Sequence, residues 1–248
     1  MVEMLNDPVF WTGVFKIIVI DLLLSGDNAV VIALACRNLP VEQRKKGIMF
    51  GVAGAIGLRV VLTFFALELL SVPYLRMVGA VLLLWIGIKL LLPEDEAHGE
   101  SNIKADTHLW GAVKTIIIAD FVMSLDNVMA VAGAAHGNVW LLVFGLVVSI
   151  PMIAWSSQLI LKLLDRFPII IYFGGGLLGY VAGEMLVSDE KLAPAFAFLP
   201  DDMHWLIPAV CALLVVGLGF WLSMRKKVRK VVHLVDEKAA EQNRNQGR

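Results

Sequence analysis

The sequence predicts an all-α, polytopic membrane protein with seven transmembrane helices, built as two inverted three-helix repeats plus a seventh helix. Three observations carry this reading. The chain of 248 residues is 58% apolar and only 17% charged, with a mean hydropathy of +0.77, outside the range of ordinary soluble domains. Its apolar residues gather into runs of the roughly 20 residues that cross a bilayer. Two of those runs carry the same polar motif at a fixed separation.

The apolar runs place helices near 11–36, 45–70, 74–92, 110–136, 139–163, 168–187 and 204–224. The membrane domain then covers 1–225, with repeat one at 11–92, repeat two at 110–187 and the extra helix at 204–224, while 226–248 forms a basic, polar tail. Met1 to Pro8 holds Glu3 and Asp7 but no Lys or Arg, so it lacks the positive start of a signal peptide, and the first span is expected to be retained. The basic segments are Arg37, Arg44, Lys45 and Lys46 after the first span, Lys162 and Arg166 after the fifth, and Arg225, Lys226, Lys227, Arg229 and Lys230 in the tail. All of them fall on one side. By the positive-inside rule that side is the cytoplasm, with the N-terminus outside and the C-terminus inside. Cys36 and Cys211 are expected toward opposite faces, so no disulfide is expected.

The first span contains Asp21-Leu-Leu-Leu-Ser25-Gly26-Asp27-Asn28, and the fourth contains Asp120-Phe-Val-Met-Ser124-Leu125-Asp126-Asn127. The register is strict, since 120 − 21 and 126 − 27 both equal 99, and Trp11 and Trp110 match at the same offset. An odd number of helices per repeat makes the two copies run in opposite directions through the membrane. The third helices extend the repeat, pairing Leu82 with Leu177, Trp85 with Tyr180 and Lys89 with Glu184. Inverted repeats with polar, interrupted helices near the midplane point to a secondary transporter whose substrate binds between the halves.

The motif is expensive. An aspartate at the centre of a membrane helix is unfavourable by about 2.5–3.5 kcal/mol, so a counter-charge, a bound cation, protons or water must offset Asp21, Asp27, Asp120 and Asp126. At about 100° per residue, Asp21, Ser25 and Asn28 share one helix face, while Asp27 points roughly 120° away. A straight helix cannot aim both acids at one point, and Gly26 is expected to break or kink the first copy. Leu125 replaces that glycine in the second copy.

The ionisable residues expected at depth are the four aspartates with Arg59, Glu68 and Glu184, while Lys16, Lys89, Lys114 and Lys162 lie nearer the ends, where they can snorkel. Acids outnumber bases. If Arg59 pairs with one carboxylate, a cation or protons must serve the rest. Carboxylates, Asn amides and Ser hydroxyls suit hard divalent ions and argue against zinc or copper. Met123, between Asp120 and Asp126, offers either a softer thioether ligand that would favour Mn²⁺ or simple core packing. No paired nucleophile, phosphate loop or metallohydrolase spacing is present, so an enzyme, a cofactor or a nucleic-acid partner is not expected. The acidic, His-containing stretch Pro93 to His108 is read as a solvated linker before a metal collector. The stripes Gly47, Gly51, Ala55 and Gly175, Gly179, Gly183 are read as helix-packing faces.

The two motifs, their separation and the seven-span layout resemble the paired signatures of the TerC family, most closely its compact bacterial members labelled YjbE- or YkoY-like. The resemblance implies the LysE superfamily of exporters, the bacterial cytoplasmic membrane, and manganese efflux with Mn²⁺ as the transported ion. It implies metal ligands at Asp21, Asp27, Asn28, Asp120, Asp126 and Asn127. Ser25, Ser124, Met123, Arg59 and Glu68 are expected in supporting or proton-coupling roles, with Glu68 as the candidate shuttle. The expected partners are the divalent cation and the lipid bilayer. A homo-oligomer and secretion or assembly partners stay open. The alternative reading, also implied by the resemblance, is a membrane assembly or metal-loading factor that works through other proteins. A small-solute exporter is a third, for which Arg59 alone supplies the needed positive charge.

Overall fold

A computed structural model describes residues 8–24, 26–65, 69, 72–92, 102–135, 138–189, 191–192, 200 and 203–225. The described residues form eight helices and no strands. In chain order they are α1 (Pro8–Leu24), α2 (Gly26–Cys36), α3 (Val41–Phe64), α4 (Leu75–Leu91), α5 (Asn102–Ala135), α6 (Val139–Arg166), α7 (Ile169–Val187) and α8 (Leu206–Arg225). By length and composition five of them, α3, α5, α6, α7 and α8, can cross a membrane. The pair α1 and α2, with 56° between Phe10–Asp21 and Gly26–Cys36, makes a sixth span if counted as one. The remaining expected span, 74–92, is α4, a helix of only 17 residues.

The expected break in the first motif is present. Gly26 starts α2 at an exposed position where an added Cβ would meet nothing within 4 Å. The glycine is therefore not required there by close packing. The second motif is unbroken, because α5 runs continuously through Leu125, which is buried with Val122 and Met185 in an apolar cluster. The end of the second span is not among the boundaries described in full: α3 runs to Phe64, 66–68 and 70 lie outside the described residues, and Leu69 N donates to the Phe65 carbonyl as in a helix. One boundary differs from expectation. Residues 102–108, expected in a polar linker, are the first two turns of α5; a helix outside the bilayer needs no apolar run, so hydropathy misses it. The rest of that stretch, 93–101, lies outside the described residues, as does the tail 226–248.

Two apolar clusters organise the helices. The larger joins α1, α2, α3, α5 and α6 through residues such as Ile17, Leu34, Ile48, Ile116 and Leu146, and the smaller joins α4, α5 and α7 through Leu83, Val122 and Leu178. α8 packs on the outside of α7 by backbone contact. A Cβ at Gly179 would come within 2.7 Å of the Cys211 carbonyl oxygen, and one at Gly183 within 2.8 Å of Pro208 N. Such close approach is how small residues hold helices together in lipid, where no hydrophobic force drives association.

The outer surface is apolar, as a bilayer requires. All seven tryptophans are exposed, together with Phe15, Phe64, Ile169, Phe173 and Leu213. Lys16, Lys89, Lys114 and Lys162 are exposed as well, with Lys89 Nζ 5.2 Å from the Trp85 ring centroid. Cys36 and Cys211 are buried free thiols.

Candidate functional site

The apolar interior is interrupted where α1, α2, α3 and α5 meet. Asp21, Asn28, Arg59, Asp120 and Ser124 are all buried there and in contact. Arg59, only 3% exposed, is the hub. Its Nη1 donates to Asp21 Oδ1, its Nη2 to Asp120 Oδ1 at 2.6 Å, and its Nε to Ser124 Oγ at 3.1 Å. Ser124 Oγ donates to Asp120 Oδ2 at 3.3 Å, and Asn28 Nδ2 donates to Asp120 Oδ1 at 2.9 Å.

Local sequence explains each placement. Ser124 follows Asp120 by four residues, so the two stack on one face of α5. The glycines of α3 let that helix lie close on α5, with Gly51 set against the Ile116 side chain, and this delivers Arg59 to Asp120 two turns further on. The guanidinium is planar and presents a rigid fork of donors, which is why one arginine can hold two carboxylates and a hydroxyl at once. Burying such charges is tolerable only when their hydrogen bonds are met in this way.

The α1–α2 break supplies the other half. Asn28 lies in the first turn of α2 and turns Nδ2 to Asp120, leaving its Oδ1 buried with no hydrogen-bond partner among the described residues. Asp27, half-buried, accepts from Asn28 N at 2.9 Å and stands within electrostatic reach of Arg59 and Asp120. The start of a helix carries a partial positive charge that favours a carboxylate there.

Of the six expected ligands, Asp21, Asn28 and Asp120 are drawn into one cluster, and Asp27 lies beside it. Asn127 is half-buried on α5, the side chain of Asp126 lies outside the described residues, and so do Ser25 and Glu68. Ser124 and Arg59 are central. Met123 is buried in the apolar cluster with Val122 and Leu125, so its thioether belongs to packing. Among the described residues no three His, Cys, Asp or Glu side chains converge to hold a metal ion, and the Arg59 guanidinium lies between Asp21 and Asp120. That double engagement exceeds the single pairing expected for Arg59. The signal for it was the exact equivalence of Asp21 and Asp120 in the repeat, which sets one basic residue between two matching acids.

The cluster's oxygen atoms are hard donors: carboxylates, an amide oxygen and a hydroxyl. These match Mn²⁺, Mg²⁺ or Ca²⁺ and not a soft metal.

Known sequences place the chain. The profile of the integral membrane protein TerC family matches residues 6–227. The chain is 46% identical over 211 residues to the uncharacterized membrane protein YjbE of Bacillus subtilis, covering 85% of this chain and 95% of that one. It is 29% identical over 236 residues to the uncharacterized membrane protein YceF of the same organism, covering 92% and 89%. The inner membrane protein YgdQ of Escherichia coli is 22% identical over 179 residues, covering 66% and 75%. No solved structure matches. With its motif helices, its apolar surface and a family match over nearly its whole length, the chain belongs to the TerC family of integral membrane proteins.

Proposed function

We propose that the protein exports a divalent cation, Mn²⁺ by preference, across the bacterial cytoplasmic membrane by alternating access. The observation that carries this is the meeting of the two motif copies at one buried, oxygen-rich cluster, joined by Asn28 and Asp120. Two buried acids, Asp21 and Asp120, share one buried base, and ionisable residues within a membrane are functional candidates by default. The buried Oδ1 of Asn28, which has no hydrogen-bond partner among the described residues, is the kind of acceptor that a bound cation satisfies. Mn²⁺ is chosen over Mg²⁺ and Ca²⁺ on the family resemblance, since oxygen donors alone do not separate the three.

Seven spans in two inverted repeats fit the packing. The first helix of each repeat lies against the second helix of the other: α1 and α2 pack on α6, and α5 packs on α3. The third helices, α4 and α7, pack on each other. The aromatic rings follow the same rule, with Trp11 edge-on to Phe144 at 5.7 Å and its equivalent Trp110 stacked on Phe50 at 6.1 Å. Sidedness is also consistent. Arg44 binds Asp165 and Arg37 binds the Leu92 carbonyl, which sets the α2–α3 junction and the ends of α4 and α6 on one face, the cytoplasmic one in this reading. Arg76 donates to the Ser188 carbonyl and so joins the start of α4 to the end of α7 on the other. In the cycle, the cation enters from the cytoplasm, the halves rock, and reprotonation of vacated carboxylates from outside couples export to the proton gradient.

The test is radiolabelled Mn²⁺ flux in proteoliposomes holding wild-type protein or the double variant Asp27→Asn with Asp126→Asn, with Mg²⁺, Ca²⁺ and Zn²⁺ as competitors. Wild-type flux that resists Mg²⁺ and vanishes in the variant supports the reading. A folded wild-type protein that moves no divalent ion under any gradient overturns it in favour of a metal-loading or assembly role.

A further inference from the structure

We propose that Arg59 is a tethered counter-cation: it holds Asp21 and Asp120 when no divalent ion is bound, and must leave them for the ion to bind. This rests on the reading of the cluster as a divalent-cation site and adds the residue that competes with the cargo. Competition follows from the lone pairs. Asp120 Oδ1 already accepts from Arg59 Nη2 at 2.6 Å and from Asn28 Nδ2 at 2.9 Å, and its Oδ2 accepts from Ser124 at 3.3 Å. A divalent cation sits about 2.0–2.6 Å from its oxygen ligands. It cannot share a carboxylate lone pair with an N–H donor, because both are positive and both need the same electrons. The two cations therefore compete at Asp120 Oδ1, both of whose lone pairs are taken, while at Asp21 the contest is for Oδ1, which Arg59 Nη1 holds.

The choice of arginine matters. A guanidinium does not lose its proton in proteins, so Arg59 can vacate the acids only by moving. The amide of Asn28 fits the same exchange. With Arg59 in place its N–H side faces Asp120 and its oxygen has no hydrogen-bond partner among the described residues; a rotated amide would give that oxygen to the ion. In repeat two, α6 carries no basic residue before Lys162, so a single buried guanidinium serves two symmetry-related acids. The ion-free protein then carries its own substitute charge while it resets.

A displaceable competitor makes predictions that a merely structural arginine does not. Removing it raises apparent affinity, because the competent site no longer has to be won from Arg59. It also cripples the return of the ion-free protein, since buried acids lose their partner, while the loaded protein still reorients. The experiment measures equilibrium Mn²⁺ binding, net Mn²⁺ efflux and Mn²⁺–Mn²⁺ exchange for wild type, Arg59→Gln and Arg59→Lys in proteoliposomes. Arg59→Gln is expected to bind Mn²⁺ about tenfold tighter or more, to lose net efflux and to keep exchange. Arg59→Lys, a point charge without the fork, is expected to fall between. Folded Arg59→Gln with unchanged or weaker binding, or with exchange lost as fully as net efflux, overturns the proposal.

If Arg59→Gln does not fold, the wild-type protein decides. Mn²⁺-induced difference infrared spectra on protein with isotopically labelled arginine, referenced to Arg59→Lys, are expected to show a guanidinium band shift as Arg59 leaves its carboxylates. No shift at saturating Mn²⁺ overturns the proposal. A wild-type protein that binds no divalent ion overturns the export reading itself, and this inference with it; Mn²⁺ transport without these Arg59 effects overturns this inference alone.

Discussion

Asn28 Nδ2 donates to Asp120 Oδ1 at 2.9 Å, a bond that joins the first copy of the repeated motif to the second across 92 residues of chain. It is also the bond that must change if Asn28 is to offer its oxygen to a cation. Asn28→Leu removes a hydrogen bond to a charged acceptor, worth about 1.5–3 kcal/mol. The expected result is a lower unfolding temperature in detergent and at least about tenfold weaker Mn²⁺ binding, read by thermal unfolding and by isotope binding on the same preparation. A variant with wild-type affinity removes Asn28 from the ligand set.

Arg59 is the one positive charge among the buried carboxylates Asp21 and Asp120. Breaking a buried ion pair by deleting one partner costs about 3–5 kcal/mol, so Arg59→Met is expected to be the least stable single variant of the cluster when measured without metal. Adding Asp21→Asn to it should return part of the loss, because the two substitutions act on one interaction and do not add. Strict additivity in the double-mutant cycle would show that the pair contributes nothing.

At the opposite level of burial lies the Arg44–Asp165 pair, 2.6 Å long with Asp165 half-exposed. Exposed pairs contribute about 0.2–1 kcal/mol, so Asp165→Asn should be nearly silent. Arg44→Ala should not, because Arg44 also donates to the Leu39 and Arg37 carbonyls and closes the α2–α3 junction. Comparing the two unfolding temperatures separates the ion pair from the loop clamp.

Two glycines give opposite expectations. Gly26→Ala should fold normally, since the added methyl has open space around it. Gly183→Ala pushes a methyl into the backbone of α8 at Pro208, where no side chain can step aside, and overpacking of this kind costs about 1–3 kcal/mol. Expression level and monodispersity in detergent should fall for Gly183→Ala and hold for Gly26→Ala.

Much of this architecture was legible in the sequence, for identifiable reasons. Apolar runs located α4, α7 and α8 to within a few residues, because membrane helices must be apolar along their lipid-exposed length. The break at Gly26 followed from a helix that could not aim Asp21 and Asp27 together. The start of α5 at Asn102 was not legible from hydropathy, since Asn102 to His108 has no apolar run. Nor was the double grip of Arg59 on Asp21 and Asp120. That contact depends on how α3 is rotated against α5, which the stripe of Gly47 and Gly51 hints at but does not set. Met123 illustrates the same limit: it lies only three residues from Asp120, yet the turn of the helix carries it into apolar packing.

The two motif helices are related by sequence but not by shape, one cut at Gly26 and the other a single rod of 34 residues. A machine with two identical jaws would look the same from either end. Here one jaw has a joint and the other does not, so turning the molecule over does not reproduce it. The surroundings of the cluster consequently differ toward the two ends of the molecule, and any net direction of movement through it would have to come from a gradient and not from this asymmetry.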